Sequence, residues 1–185
     1  MLVEKLQAAG ATLDANAFVT AVRNGVDPLE LKDRIELIAD ALHTHLHGNY
    51  SEQTNCLVAS LGPENEKETG MFTEFYWVMP IAKFVEKYGL NDFDASMAAT
   101  AEITKRNTGE FTIRPYLRQH TEKTLEVMQE WAQSPNAHLR RLASEGVRIR
   151  LPWAKKLELF VDDPSPIFRI VELLKDDPSR YVQNG

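Results

Sequence analysis

The 185-residue sequence contains a single cysteine, Cys56, and no long run of apolar residues. One cysteine excludes an intrachain disulfide and is typical of proteins that stay in the reducing cytosol. A helix that spans a bilayer needs roughly 20 consecutive apolar residues, and no segment of the sequence approaches that length. The N-terminal segment also lacks the apolar centre of a signal peptide. We therefore expect a cytoplasmic protein with no membrane partner.

The motifs of several common chemistries are also missing. There is no G-x-G-x-x-G, no P-loop and no G-x-S-x-G, so neither a nucleotide cofactor nor serine hydrolysis is predicted. His43, His45 and His47 lie close together, but no H-E-x-x-H pattern and no further Cys/His group accompanies them. Such a cluster at a helix end is most often polar surface. We predict no cofactor and no metal site.

The apolar-polar alternation of β-strands is scarce. Apolar residues instead recur every three or four positions, which is the period of a helix with one buried face. One such stripe consists of Leu31, Ile35, Ile38 and Leu42. Asp27 and Pro28 precede it and predict its N-cap and first turn. The pattern predicts an all-α protein.

A repeat with a period of 43 residues is present in the second half of the sequence. The apolar residues of 125–131 align with those of 168–174, and Ser134-Pro135 aligns with Asp177-Pro178. Each unit is predicted to be one helix, a Ser/Asp-Pro turn that caps the next helix, and that second helix. HEAT and armadillo helix pairs repeat every 40–47 residues or so. We predict a HEAT-like α-α superhelix that forms one domain over residues 1–185, with an unrelated helical bundle as the alternative.

Basic residues are in deficit relative to acidic ones, and the net charge of −6 argues at first against nucleic acid as a partner. The deficit is uneven, however. Residues 1–100 contain 7 Lys or Arg and 15 Asp or Glu, whereas residues 101–161 contain 11 and 7. A basic surface on an acidic body orients a protein toward an anionic partner. Because such asymmetry also arises by chance, it leaves both interpretations open.

The most informative segment runs from Ser134 to Trp153, S-P-N-A-H-L-R-R-L-A-S-E-G-V-R-I-R-L-P-W. Phosphate contacts of basic side chains position a protein on DNA without reading its sequence. The candidates here, with two lysines that are expected to open the next helix, are Arg140, Arg141, Arg148, Arg150, Lys155 and Lys156. A basic cluster at a helix end is equally typical of a solvated surface.

Glu145 is an isolated carboxylate within this basic segment. It follows Arg141 by four residues and shares its helix face, which predicts either a surface ion pair or an acidic group presented to a ligand. Ser144 and Gly146 flank it with little bulk. Their size predicts that a large ligand can approach Glu145 closely.

Glu110 and Trp153 complete the candidate site. Glu110 lies between Arg106 and Arg114 in the sequence, and by itself it is also consistent with a carboxylate at a helix N-terminus. Trp153 follows Leu-Pro, which stiffens the chain before it. A tryptophan is most often a core residue, but beside arginines and a glutamate its ring is a candidate for packing on a sugar or a base.

Several segments together resemble the AlkC-type DNA glycosylases, relatives of AlkD in the HEAT-repeat family of DNA alkylation repair enzymes. The segments are E-L-K-D-R-I-E-L-I-A-D-A-L (30–42), V-E-K-Y-G-L-N-D-F-D-A-S-M (85–97), T-G-E-F-T-I-R-P-Y-L (108–117), R-R-L-A-S-E-G (140–146) and R-L-P-W-A (150–154). Any one of them is weak, and their combination is specific. One departure is Ile149, which replaces the second residue of the family's R-P-R-L-P-W.

The resemblance implies a function and roles for the candidate residues. It implies hydrolysis of the N-glycosidic bond of cationic N-alkylated bases, such as 3-methyladenine, in duplex DNA, without base flipping and without a metal. Glu110 and Glu145 match family positions that place negative charge near the sugar cation, and Trp153 matches the aromatic that packs on the deoxyribose. The basic residues above, with Arg114, are then expected to contact phosphates, and the protein to be associated with the nucleoid.

The resemblance also implies that the sequence is truncated at its C-terminus. Relatives continue with an S-V-A-N-x-L-N-D-like stretch whose aspartate belongs to the active site. An uncovered solenoid end should fray, self-associate or be covered by a neighbouring molecule. Two alternatives to a glycosylase therefore stay open: a DNA-binding HEAT module with impaired catalysis, and a HEAT scaffold that binds an acidic protein.

Overall fold

The computed structural model describes residues 1–69 and 75–185, and the regular elements within these ranges are helices, apart from one isolated antiparallel bridge between Leu13 and Leu46. The helices are α1 (Leu2–Ala8), α2 (Ala15–Val26), α3 (Leu31–His45), α4 (Tyr50–Ala59), α5 (Met79–Tyr88), α6 (Phe93–Thr104), α7 (Ile113–Gln119), α8 (Thr121–Ala132), α9 (Ala137–Gly146), α10 (Leu159–Asp162), α11 (Ser165–Leu174) and α12 (Arg180–Gln183). A 3-10 helix over Tyr76–Val78 leads into α5. The prediction of an all-α fold is confirmed.

The first predicted helix boundary is wrong by three residues. Helix α3 begins at Leu31 with Glu30 as its N-cap, whereas Asp27 is the C-cap of α2. Arg34 stabilises the turn between the two helices, because its guanidinium donates to the carbonyl oxygens of Leu29 at 2.6 Å and Asp27 at 3.3 Å. Asp27 and Pro28 therefore form a helix-to-helix turn, and the chain needs two more residues before α3 can start.

The two predicted repeat units have the same turn at their centre. In the first unit the Ser134 hydroxyl accepts from the main-chain N–H of Asn136 at 3.1 Å, and in the second Asp177 accepts from Ser179 at 2.9 Å. Asn136 and Ser179, 43 residues apart, are the N-caps of α9 and α12. The repeat is present, but the residues predicted as caps, Ser134 and Asp177, lie two positions before the actual caps.

The register of the first helix in each unit also differs from the prediction. At a period of 43, buried Met128 aligns with Val171, which is 43% exposed. At a period of 42, Met128 aligns with Ile170, and both are fully buried. The loop between the two helices is one residue longer in the second unit. The helix caps therefore repeat every 43 residues, whereas the buried residues of the first helices repeat every 42. As a result α11 presents exposed Phe168, Val171 and Leu173.

The core consists of two adjoining clusters, as expected for a solenoid that has no single centre. Leu42, Leu57 and Phe84 belong to the N-terminal cluster, and Tyr116 and Met128 to the C-terminal one. Helices α8 and α9 pack on each other, α11 packs on α8, and α12 packs on α9. The first helices of the two units thus lie side by side, and so do the second helices. Within the described ranges, no helix has the length and apolarity that crossing a bilayer requires.

Candidate functional site

Glu110 and Glu145 are brought together by close packing of the segment before α7 against the end of α9. Gly109 and Gly146 permit this approach, since a Cβ on Gly109 would lie 2.7 Å from a Thr104 oxygen and one on Gly146 would lie 2.9 Å from Ile113. Glu110 is 6% exposed and Glu145 is 7% exposed. We call these two residues the carboxyl pair.

The small neighbours of Glu145 do not open a path for a ligand, contrary to the prediction. Gly146 faces the side chains of Ile113 and Met128 in the core. The Ser144 hydroxyl lies 3.2 Å from the Val182 carbonyl oxygen of α12, to which it donates. Helix packing therefore explains why both residues are small.

Arg141 holds Glu145 with both ends of its guanidinium. Its Nη2 donates to Oε1 of Glu145 at 2.8 Å, and its Nη1 lies 2.5 Å from Oε2. The Arg148 guanidinium is 4.0 Å from the same carboxylate. The predicted ion pair is thus present, but it is mostly buried, with the Arg141 side chain only 19% exposed. A forked, buried pair fixes the direction of the carboxylate more firmly than a surface pair does.

Glu110 carries a proton at neutral pH in this arrangement. Burial is the largest of the causes that raise the pKa of Glu110 from 4.5 to about 8, and the hydrogen bond to Glu145 and the negative charge of Glu145 contribute in the same direction. The positive charge of Arg141 acts the other way. A carboxyl beside a second carboxylate is harder to ionise, so Glu145 favours the protonated form of Glu110.

Trp153 lies in a loop that connects α9 to α10 (residues 147–158), which we call the Trp153 loop. Its side chain is 63% exposed, so it is not a core tryptophan. Its φ of 64° is the only positive value outside glycine in the described ranges. A bulky residue in the left-handed region is strained, and such strain persists only where surrounding contacts impose it.

Arg114 imposes much of the shape of the Trp153 loop. Its side chain is 2% exposed and donates to main-chain carbonyl oxygens of Lys155 at 2.7 Å and Arg148 at 2.8 Å, with longer bonds to Gly146 and Ile149. Burial lowers the pKa of Arg114 to about 10, which leaves it charged at neutral pH. The expectation that Arg114 contacts phosphate is not met, because its donors are already used inside the protein.

Two further cations support the loop from outside. Arg118, one turn after Arg114 on α7, donates to the Lys155 carbonyl oxygen at 2.8 Å. Lys32 of α3 donates to the Trp153 carbonyl oxygen and lies 5.9 Å from the Phe111 ring. The spacing of Arg118 from Arg114 was a usable signal in the sequence. Lys32 is 121 residues from Trp153, and no local pattern predicts that contact.

The remaining predicted phosphate contacts divide into exposed and paired residues. Arg148, Arg150 and Lys155 are exposed on the Trp153 loop. Arg140 forms a pair with buried Asp177, Nε to Oδ2 2.6 Å, and Lys156 lies 2.9 Å from Glu158. The two lysines lie in the loop rather than at the start of the next helix, which begins at Leu159.

A groove of about 620 Å³ lies beside the Trp153 loop. Leu31 and Ile35 of α3 line one wall, and Phe111 and Trp153 lie on the other side. The carboxyl pair is not part of its lining, although Glu110 directly precedes Phe111 in the chain. The lining of the groove is mixed, because charged residues such as Lys32 and Glu36 accompany the apolar ones.

The histidine cluster has local partners. His43 stacks on Tyr88 with ring centroids 3.9 Å apart, and its Nδ1 is 3.1 Å from the Gln53 side-chain oxygen. Among the residues that the structure describes, no group of three or more His, Cys, Asp or Glu side chains is arranged to hold a metal ion.

The family follows from a comparison with known proteins. Residues 93–185 match the model of the DNA alkylation repair enzyme family. The chain belongs to this family, and the matched range contains the carboxyl pair, the Trp153 loop and both repeat units. The resemblance inferred from the sequence is confirmed.

Individual relatives are similar along the whole chain. One is the uncharacterized protein YhaZ of Bacillus subtilis strain 168, 33% identical over 185 residues, which are 100% of this chain and 49% of YhaZ. Another is the Pseudomonas fluorescens alkylpurine DNA glycosylase AlkC, whose structure was solved bound to DNA containing an abasic site analog. It superposes with a TM-score of 0.87 at 32% identity, over 99% of this chain and 49% of AlkC. The chain thus spans about half the length of both relatives.

Proposed function

We propose that this chain is the catalytic part of an alkylpurine DNA glycosylase that hydrolyses the N-glycosidic bond of cationic N-alkylated purines, of the 3-methyladenine type, in duplex DNA. The observation that carries the proposal is the buried carboxyl pair, held by Arg141 and followed in the chain by a basic loop with an exposed tryptophan. The similarity to a glycosylase solved on abasic DNA supports the same assignment.

Excision of a cationic base needs little acid catalysis. An alkylated base already carries positive charge, so when its bond to C1′ breaks it takes the bonding electrons and leaves as a neutral molecule. The positive charge then passes to the sugar, and a water adds to C1′ and loses a proton. Fixed negative charge beside the sugar lowers the barrier of this step, and it is worth most in a site that is largely shielded from water. The carboxyl pair supplies such a charge.

The Trp153 loop would bring the lesion to the pair. The exposed cations Arg148, Arg150 and Lys155 are the proposed phosphate contacts. The exposed ring of Trp153 is proposed to pack on the deoxyribose, where a π face also favours positive charge. No base pocket is required by this geometry, because charge stabilisation acts at the sugar. The base can leave from the duplex without being flipped.

Replacement of Glu145 by glutamine tests the proposal. Glu145→Gln keeps the shape but removes the charge, so the excision rate should fall about 100-fold or more while DNA affinity stays equal or rises slightly. The measurement is release of 3-methyladenine from methylated duplex DNA, corrected for spontaneous loss. Glu158→Gln, which neutralises an exposed carboxylate near the same loop, is the matched control and should excise like the wild type.

Other outcomes would support the alternatives. An unchanged rate in Glu145→Gln would mean that Glu145 is only the structural partner of Arg141. Binding of DNA without excision by the unmodified chain would favour a DNA-binding module with impaired catalysis. A chain that does not bind DNA at all would favour a protein scaffold.

A further inference from the structure

Tyr181 on α12 lies against the cation that holds the carboxyl pair. The guanidinium carbon of Arg141 is 4.7 Å from the centre of the Tyr181 ring, within the distance of a cation–π contact. Arg141 therefore has two neighbours of different kinds: the carboxylate of Glu145, which binds its N–H groups, and the ring of Tyr181. Together they fix both the position and the plane of the guanidinium.

The ring of Tyr181 is itself anchored through a buried histidine. His138 of α9 is 5% exposed, and its Nε2 is 3.0 Å from the Asn65 carbonyl oxygen. A carbonyl only accepts, so in the neutral ring Nε2 carries the proton and Nδ1 accepts from the Tyr181 hydroxyl, 3.0 Å away. The two rings also meet edge to face, with centroids 5.3 Å apart. Asn65, His138 and Tyr181 thus form a chain of contacts that ends at Arg141.

We propose that Tyr181 is a positioning residue. Its ring holds the guanidinium of Arg141 in the orientation that sets the direction of the carboxyl pair and fixes its charge. The inference rests on the proposed function for its importance in catalysis, but the contact and its effect on the pair do not depend on it. Tyr181 does not touch the reacting atoms in this account. It acts through Arg141.

The ring, rather than the hydroxyl, makes the contact with Arg141. Tyr181→Phe keeps the ring face and loses the bond to His138, whereas Tyr181→Leu and Tyr181→Met fill similar space without a π face. If Arg141 loses its ring support, its positive charge stabilises the ionised pair less well. Since Arg141 lowers the pKa of Glu110, that pKa should then rise above its present value.

The experiment is a carboxyl titration followed by ¹³C NMR in the protein labelled at glutamate. The Glu110 signal is identified by its absence in Glu110→Gln. Tyr181→Phe should titrate like the wild type, and both ringless variants should titrate about half a pH unit higher or more. Phe168→Leu, which removes an exposed aromatic ring from α11, is the control and should leave the titration unchanged.

Excision is the second measurement. The ringless variants should lower kcat by roughly 3- to 30-fold with little change in KM, and Tyr181→Phe should retain the wild-type rate. Circular dichroism checks that the fold is kept. Because the titration needs no activity, a chain that fails to excise would count against the proposed function and leave this inference under test.

Two results would overturn the inference. One is a Glu110 titration that is the same in the ringless variants as in the wild type, which would mean that Glu145 alone positions Arg141. The other is an equal shift in Tyr181→Phe and Tyr181→Leu, which would assign the effect to the hydroxyl and His138 rather than to the ring.

Discussion

Glu110→Gln should change the pH dependence of stability in a direction set by the burial of this carboxyl. The folded protein keeps a proton on Glu110 up to about pH 8, whereas the unfolded chain releases it near the ordinary pKa of 4.5. Between these values the folded state binds more protons than the unfolded state does. The free energy of unfolding must therefore fall as the pH rises through this window. Glutamine, which does not titrate, removes that loss.

The size of the effect follows from the two pKa values. A full difference of one proton changes the free energy of unfolding by roughly 1.4 kcal/mol for each pH unit, which sets an upper bound of roughly 5 kcal/mol over the window. Because the carboxyl is not wholly removed from water, we expect less than this bound, about 2–3 kcal/mol. At pH 8.5 the variant should be more stable than the wild type by that amount. At pH 4.5 the two should be nearly equal.

Urea unfolding at intervals from pH 4.5 to 9 measures this difference. Other groups also titrate in the range, so the informative quantity is the wild-type free energy minus that of Glu110→Gln at each pH. Glu126→Gln replaces an exposed carboxylate on α8 and is the control, which should run parallel to the wild type. Parallel curves for Glu110→Gln as well would refute the account, because they would mean that Glu110 is ionised throughout and not buried against Glu145.

Two further predictions concern the cations of the Trp153 loop. Arg148→Ala combined with Arg150→Ala should weaken DNA binding similarly for all sequences and reduce the slope of log affinity against log salt by about 2, as measured by fluorescence anisotropy. The double variant Arg23→Ala with Arg169→Ala, which removes two exposed arginines elsewhere, is the control. An unchanged slope would show that neither arginine of the loop contacts a phosphate. Arg114→Met should lower the free energy of unfolding by about 3 kcal/mol, because the Gly146 and Arg148 carbonyl oxygens lose the donor of Arg114, and Lys155 and Ile149 each lose one of two donors. A loss below about 0.5 kcal/mol in urea unfolding would show that the loop does not depend on Arg114.

The fold was largely predictable because helix patterns and turn chemistry are local. The stripe at Leu31 and Ile35, the two Pro turns and the 43-residue spacing of the caps are all visible in the sequence. The register of α11 was not, because a loop one residue longer shifts Ile170 into the place of Met128 without changing the apolar composition. Cap positions also depended on side-chain bonds, such as Asp177 to the Ser179 amide, that only the turn geometry decides.

The sequence singled out the two acids and the tryptophan of the candidate site. It did not separate the cations that face solvent from those whose partners lie inside the protein. Arginines near a carboxylate look alike in a sequence, whether they face phosphate or the inside of the protein. Arg114 was expected to contact DNA, and the structure buries it beneath the Trp153 loop. Lys32 was missed because its partner Trp153 is 121 residues away in the chain. Tyr181 was missed because it lies on α12, a helix of only four residues, and its partners lie on α9.

On the proposed function, the proton of Glu110 links the charge of the site to the presence of a substrate. With Glu110 protonated, the charges of Glu145 and Arg141 nearly cancel, so the empty site costs little to keep buried. A sugar that gains positive charge beside the pair favours the ionised form of Glu110 and so lowers its pKa. A second negative charge, added to the fixed one of Glu145, would then appear as the cation forms, which is the differential stabilisation that lowers a barrier rather than merely strengthening binding. Arg141 must then hold Glu145 in place and yet leave Glu110 free to lose its proton, and the role proposed for the Tyr181 ring is to keep Arg141 in that orientation.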